Sequence, residues 1–135
     1  MHQIELEYQG GLRTEAVHLK SGQRLITDAP VDNKGKGEAF SPTDLAAAAL
    51  GSCMLTIMGI TADSRDMDIT GTRAEVEKVM GANPRRIAEI IIHIYFQTTL
   101  GGQEKQLFEK SVLSCPVHRS LHPETTIRTQ FHYPS

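Results

Sequence analysis

Two thiols, Cys53 and Cys115, stand 62 positions apart in the chain. Such a pair has three possible uses. The sulfurs can pack as small apolar groups, ligate a metal, or cycle between dithiol and disulfide. In the cycle one sulfur attacks as the thiolate and the other resolves the oxidised product. Cys53 lies in the apolar run from Leu45 to Ile60, with Ala46, Ala49, Leu50, Ile57 and Ile60 at helical spacings from it. Apolar surroundings oppose a thiolate, and the helix start is about three turns away, beyond the reach of the helix dipole. A reactive Cys53 therefore needs a cation from elsewhere. Arginine suits best, because it stays charged when desolvated.

Cys115 precedes Pro116 at the end of a second predicted helix and is expected to be more exposed and more mobile than Cys53. Cys115, His118 and His122 also form a Cys-x-x-His-x-x-x-His string, three ligands able to hold zinc with an open fourth position. Pro116 and Pro123 leave little room for the regular helix that would bring both histidines to one face. Two solvated histidines and two unrelated structural cysteines form the bland alternative. Spacing alone leaves all three readings open.

Composition narrows the setting. The 135 residues suit one domain spanning 1–135. Fourteen Lys and Arg against 16 Asp and Glu give a net charge of −2, without the basic surplus that phosphate neutralisation needs. Arg85-Arg86 reads as a solvated strand start, and Gly35-Lys36-Gly37 lacks the strand and helix of a phosphate loop. Two cysteines are too few for a disulfide-stapled secreted scaffold, and the N-terminus does not read as a signal peptide. The run from Leu45 to Ile60 is 16 residues, interrupted by Gly51, Ser52, Thr56 and Gly59, against about 20 for a membrane span. The expectation is a soluble cytoplasmic protein with no nucleic-acid or membrane partner.

The elements that must position these residues follow from periodicity. Ile4, Leu6 and Tyr8 alternate with polar residues as in a half-buried strand, and Gly10-Gly11 supplies a turn. Strands are predicted over Leu12–Lys20 and Gln23–Asp28, joined at Ser21-Gly22. Residues 29–41 have loop composition and are expected to be mobile. Ser41-Pro42 starts a helix running to about Ala62, apolar nearly all round and so expected to be central. Strands over Ile69–Val79 and Arg86–Thr98, a helix over Gln103–Ser114 and a last strand over Thr125–Tyr133 complete the order βββ–α–ββ–α–β. That order predicts an α+β architecture, with a mainly antiparallel sheet packed on a long buried central helix.

The run Ser41-Pro42-Thr43-Asp44-Leu45 through the alanines to Leu50-Gly51-Ser52-Cys53 resembles the signature of the OsmC/Ohr family of thiol-dependent peroxidases. Ser114-Cys115-Pro116-Val117-His118 resembles its second motif. The resemblance implies an intertwined homodimer with two active sites at its interface. It implies Cys53 as peroxidatic thiol, Cys115 as resolving thiol and Arg13 as the cation that stabilises the thiolate. An acid near the helix start would hold that arginine. Here Thr43 follows the proline and the acid is Asp44, nine residues before Cys53. Nine residues turn through about 900°, so Asp44 is expected on the far side of the helix from Cys53. The implied substrates are a small organic hydroperoxide and an external dithiol reductant, with no cofactor and no metal. The alternative is a non-enzymatic dimer that binds a small apolar ligand, with the zinc site a distant third.

Overall fold

The computed structural model describes residues 1–134 and divides into two compact units, Met1–Ala46 and Ala47–Ser135.

In the first unit, β1 (Ile4–Gly10), β2 (Arg13–His18) and β3 (Arg24–Asp28) form an antiparallel sheet in chain order. Side chains alternate between its faces. Leu6 pairs with Ala16 and Ala16 with Leu25, so Ile4, Leu6, Tyr8, Ala16 and Leu25 share one face. Glu5, Glu7 and Glu15 lie on the other. Ile4, Leu6 and Tyr8 are 55–66% exposed. Gly10 and Gly11 take φ of 82° and 63° in the β1–β2 turn, which residues without Cβ adopt freely.

Residues 29–41 form a loop, as their composition suggests, tied by backbone hydrogen bonds. Asn33 and Gly35 both donate to the Pro30 carbonyl at 2.9 Å, Gly37 donates to Ala29, and Asp28 donates to Phe40. Gly35 lies so close to Ala29 that a Cβ would sit 1.7 Å from its carbonyl oxygen. Glycine permits that approach, and the approach lets the segment close on the end of β3 by hydrogen bonds.

The helix α1 (Pro42–Asp63) begins where Ser41-Pro42 predicts. The Asp44 amide donates to Ser41 Oγ and the Ser41 amide donates to Asp44 Oδ2, both at 3.0 Å. This reciprocal cap satisfies two otherwise orphaned donors.

The second unit holds α1 from Ala47 onward, β4 (Arg73–Gly81), β5 (Arg86–Tyr95), α2 (Gly102–Ser111), α3 (Pro116–Ser120) and β6 (Thr126–His132). Its sheet has the order β4-β5-β6, antiparallel between β4 and β5 but parallel between β5 and β6. A parallel pair needs a long crossover, and α2 and α3 lie in it. The core joins Leu50, Met54 and Met58 of α1 to Ile90, Ile92 and Ile94 of β5 and to Phe108 and Val112. Buried positions on α1 recur every three or four residues, one face of a helix. At Gly51 an added Cβ would meet Val76 Cγ2 at 3.0 Å, so the missing side chain lets α1 approach β4.

Three expectations change. The helix α1 is buried along one face only, with Ala49, Ser52 and Thr56 exposed and Ile60 60% exposed. At 22 residues it is long and apolar enough to cross a bilayer, unlike the 16-residue run read from sequence, although its buried face is engaged with β5. The strand β4 starts at Arg73 rather than Ile69, because Thr70 donates to Asp68 Oδ1 and Thr72 to the Ile69 carbonyl, forming a turn. Ahead of Pro116 the helical run stops at Ser114 and Cys115 turns extended, as a residue before proline does, and the proline has a second role. It opens α3, where a missing N–H costs nothing.

Candidate active site

Cys53 projects from the middle of α1 at the seam between its covered and open faces. It is half-buried and packs against the core. Cys115 is fully enclosed, with no exposed surface. This reverses the expected order of exposure. After α2 the chain tightens into a 3-10 turn over Val112–Ser114, and the Cys115 amide donates back to Val112 at 3.2 Å. Cys115 then caps α3 with its side chain turned inward, where Sγ accepts from the His118 amide at 3.4 Å.

Cys53 packs against the core cluster that contains Cys115, and the two thiols influence each other. Burial pushes the Cys115 thiol above its ordinary range, and hydrogen bonding to Cys53 pushes it further. The backbone amides of His118 and Val117 pull the other way without cancelling these effects. The arrangement therefore sets a half-buried sulfur against an enclosed one that holds its proton.

In the first unit Arg13 sits directly across the ladder from Asp28. Its Nε donates to Asp28 Oδ1 at 2.7 Å, and its Nη2 donates to Asp28 Oδ2 at 2.8 Å and to Glu38 Oε1 at 3.0 Å. Asp28 is buried and also accepts from the Glu38 amide at 3.1 Å. The Arg13 guanidinium holds the Asp28 carboxyl well below its ordinary range, and Asp28 in turn holds Arg13 firmly protonated. Neither carboxylate engages Nη1, so that edge of the guanidinium carries neither acid.

Of the four residues singled out from sequence, Cys115 lies in the core cluster of the second unit and Cys53 packs against that cluster. Arg13 meets Asp28 and Glu38, which the sequence reading passed over. Asp44 closes the cap on Ser41. Asp28 had a signal: folding the chain about the turn near Ser21 sets position 28 opposite 13. Glu38 had none, because its place depends on how residues 29–41 fold. Cys115, His118 and His122 do not converge as ligands. His118 offers Cys115 its backbone amide, and His122 Nδ1 accepts from the Glu124 amide at 3.0 Å. Among the described residues no three His, Cys, Asp or Glu side chains are placed to hold a metal ion.

A family model described as OsmC-like protein matches residues 35–130. A crystal structure from Psychrobacter arcticus 273-4, named for an osmotic stress induced and detoxification response, is 52% identical. The match covers 98% of this chain and 96% of that one, with a TM-score of 0.95. An OsmC like protein from Mycoplasma pneumoniae is 17% identical over 100% of this chain and 98% of its own, with a TM-score of 0.83. An organic hydroperoxide resistance protein OsmC from Legionella pneumophila is 16% identical over 98% of each chain, with a TM-score of 0.76. At those identities the last two attest the fold alone. No curated protein matches the chain. The family match over most of the sequence, and the 52% identity over nearly all of it, show that the chain belongs to the OsmC/Ohr family of OsmC-like proteins.

Proposed function

We propose that this protein is a thiol-dependent peroxidase of organic hydroperoxides, working as a cytoplasmic homodimer with an external dithiol as reductant. The observation that carries this reading is the placing of two unlike thiols on one core, one half-buried and one enclosed and protonated. The Cys53 thiolate attacks the terminal oxygen of the hydroperoxide. The O–O bond breaks, an alcohol leaves after taking a proton, and Cys53 becomes a sulfenic acid. The Cys115 sulfur attacks that sulfenic sulfur, water leaves and a disulfide forms. The dithiol returns two electrons and two protons and is itself oxidised to a disulfide.

Apolar Ala49 and Ile57, one turn from Cys53 on α1, favour an organic over a plain hydrogen peroxide. One relative of the same fold is named for organic hydroperoxide resistance. In this reading Arg13 reaches Cys53 from the partner protomer, its free Nη1 edge toward the sulfur, while Asp28 and Glu38 fix its plane. They take the role that the family resemblance gives to an acid at the helix start, and Asp44 serves the helix cap. The exposed apolar row of Ile4, Leu6 and Tyr8 supports a second copy as partner.

Purified protein supplied with cumene hydroperoxide and dihydrolipoamide should consume peroxide catalytically, and Cys53→Ser should bring the rate down to that of buffer. Turnover that survives the substitution sinks the reading.

A further inference from the structure

We propose that the reducing thiol enters the oxidised site at the sulfur of Cys53 and expels Cys115, so that the mixed disulfide of the cycle is carried on Cys53. The inference rests on the peroxidase reading only for the origin of the disulfide.

Thiol–disulfide exchange proceeds by a thiolate attacking one of two sulfurs, and the choice depends on access and on the leaving thiol. Here the two criteria oppose each other. Burial makes the Cys115 thiolate costly to release, and the amides of His118 and Val117 offset only part of that cost. Leaving-group basicity alone therefore disfavours the expulsion of Cys115. Access runs the other way and is the stronger constraint. Cys115 has no exposed surface and belongs to the same core cluster as Phe108 and Val112. Cys53 is open on the side where Ala49, Ser52 and Thr56 face outward, and α1 bears no charged side chain between Asp44 and Asp63 to repel a thiolate. An enclosed sulfur is not attacked whatever its leaving group, whereas an accessible one is attacked slowly if its leaving group is poor.

The steps balance. The incoming thiolate bonds to the Cys53 sulfur, the S–S bond breaks, and its electron pair leaves on Cys115, which takes up a proton and regains its reduced form. The second thiol of the reductant attacks the outer sulfur of the mixed disulfide and releases the Cys53 thiolate. Two electrons have passed to the protein, and the reductant departs as a disulfide.

The test forms the disulfide without peroxide. The full-length protein is oxidised with diamide, and formation of the intramolecular bond is verified by mass as a loss of two hydrogens. It is then treated briefly with the monothiol 2-mercaptoethanol and quenched in acid. The freed cysteine is alkylated with N-ethylmaleimide and both positions are mapped by peptide mass spectrometry. The expected result is mercaptoethanol on Cys53 and maleimide on Cys115, in at least tenfold excess over the reverse. Mercaptoethanol on Cys115, or an even distribution, overturns the proposal, as does failure of diamide to join the two cysteines. A disulfide that forms with diamide but never with cumene hydroperoxide leaves this inference standing and removes the peroxidase reading instead.

Discussion

Arg13 grips Asp28 through two parallel hydrogen bonds of 2.7 and 2.8 Å, across the β2–β3 ladder and with the carboxylate buried. Such paired geometry fixes the guanidinium plane as a single lysine contact would not.

This pair predicts acid sensitivity. The Asp28 carboxyl titrates below its ordinary range in the folded chain. Its contribution to stability is therefore complete above the ordinary carboxylate range and is lost as pH falls through the folded value. Thermal melts from pH 6 to pH 2 should show wild type losing stability on the acid side. Asp28→Asn should be less stable than wild type at pH 7 and should lack that portion of the acid decline. Parallel curves for the two proteins would show that the pair is not coupled to folding.

The enclosed thiol predicts the opposite limb. The Cys115 thiol is raised, so its contribution is complete below the unfolded thiol value and is lost as pH rises through the folded one. Denaturation of the fully reduced protein between pH 7 and pH 10 should show wild type weakening above about pH 8.5, the unperturbed thiol value. Cys115→Ala, with nothing to ionise there, should lack that component. A variant that follows the wild-type slope would mean that the thiol ionises as freely folded as unfolded.

Two substitutions should separate packing in the two units. Leu50 has no exposed surface, and Leu50→Ala should cost about 2–5 kcal/mol in denaturant unfolding. Gly35→Ala places a methyl against the Ala29 carbonyl and should cost about 1–3 kcal/mol. It should also weaken the hold of Glu38 on Arg13, read as a change in the Arg13 Nε–H signal by NMR. A Gly35→Ala protein with wild-type stability and signal would mean that the loop moves aside without consequence.

The exposed row on β1 predicts the oligomeric state. Sedimentation should give twice the 14.9 kDa of the chain, and Leu6→Glu, at a residue 66% exposed in the single chain, should shift the population toward the protomer. A wild-type protomer at micromolar concentration would remove the homodimer from the proposal.

Much of this architecture is legible in the residues. Alternation marked β1 and β5, the Ser41-Pro42 pair marked the start of α1, and Arg13, Cys53 and Cys115 stood out by chemical type and motif. What the sequence concealed depended on contacts between distant segments. Whether Cys115 is open or closed is decided by a 3-10 turn and by the core around Phe108, neither visible in a Cys-Pro pair. Residues 29–41 read as a mobile loop because Gly and Pro mark turns whether or not the turns are hydrogen-bonded. The outward face of α1 read as core because alanine and isoleucine carry no record of which neighbours are present. The parallel pairing of β6 could not be told from antiparallel, since both have a period of two.

That parallel pairing bears on the order of assembly. The segment joining β5 to β6 carries Cys115, so the second sulfur rides on a crossover whose far end docks only after the last strand exists. Closing so long a loop is a non-local, late event in folding. Before it, Cys53 stands on a helix and Cys115 on a loose tether, and oxidation finds two separate thiols. After it, the same two atoms form a couple. The rate at which diamide joins them is therefore a clock for completion of the fold, and a chain stalled short of β6 meets an oxidant without its resolving partner in place.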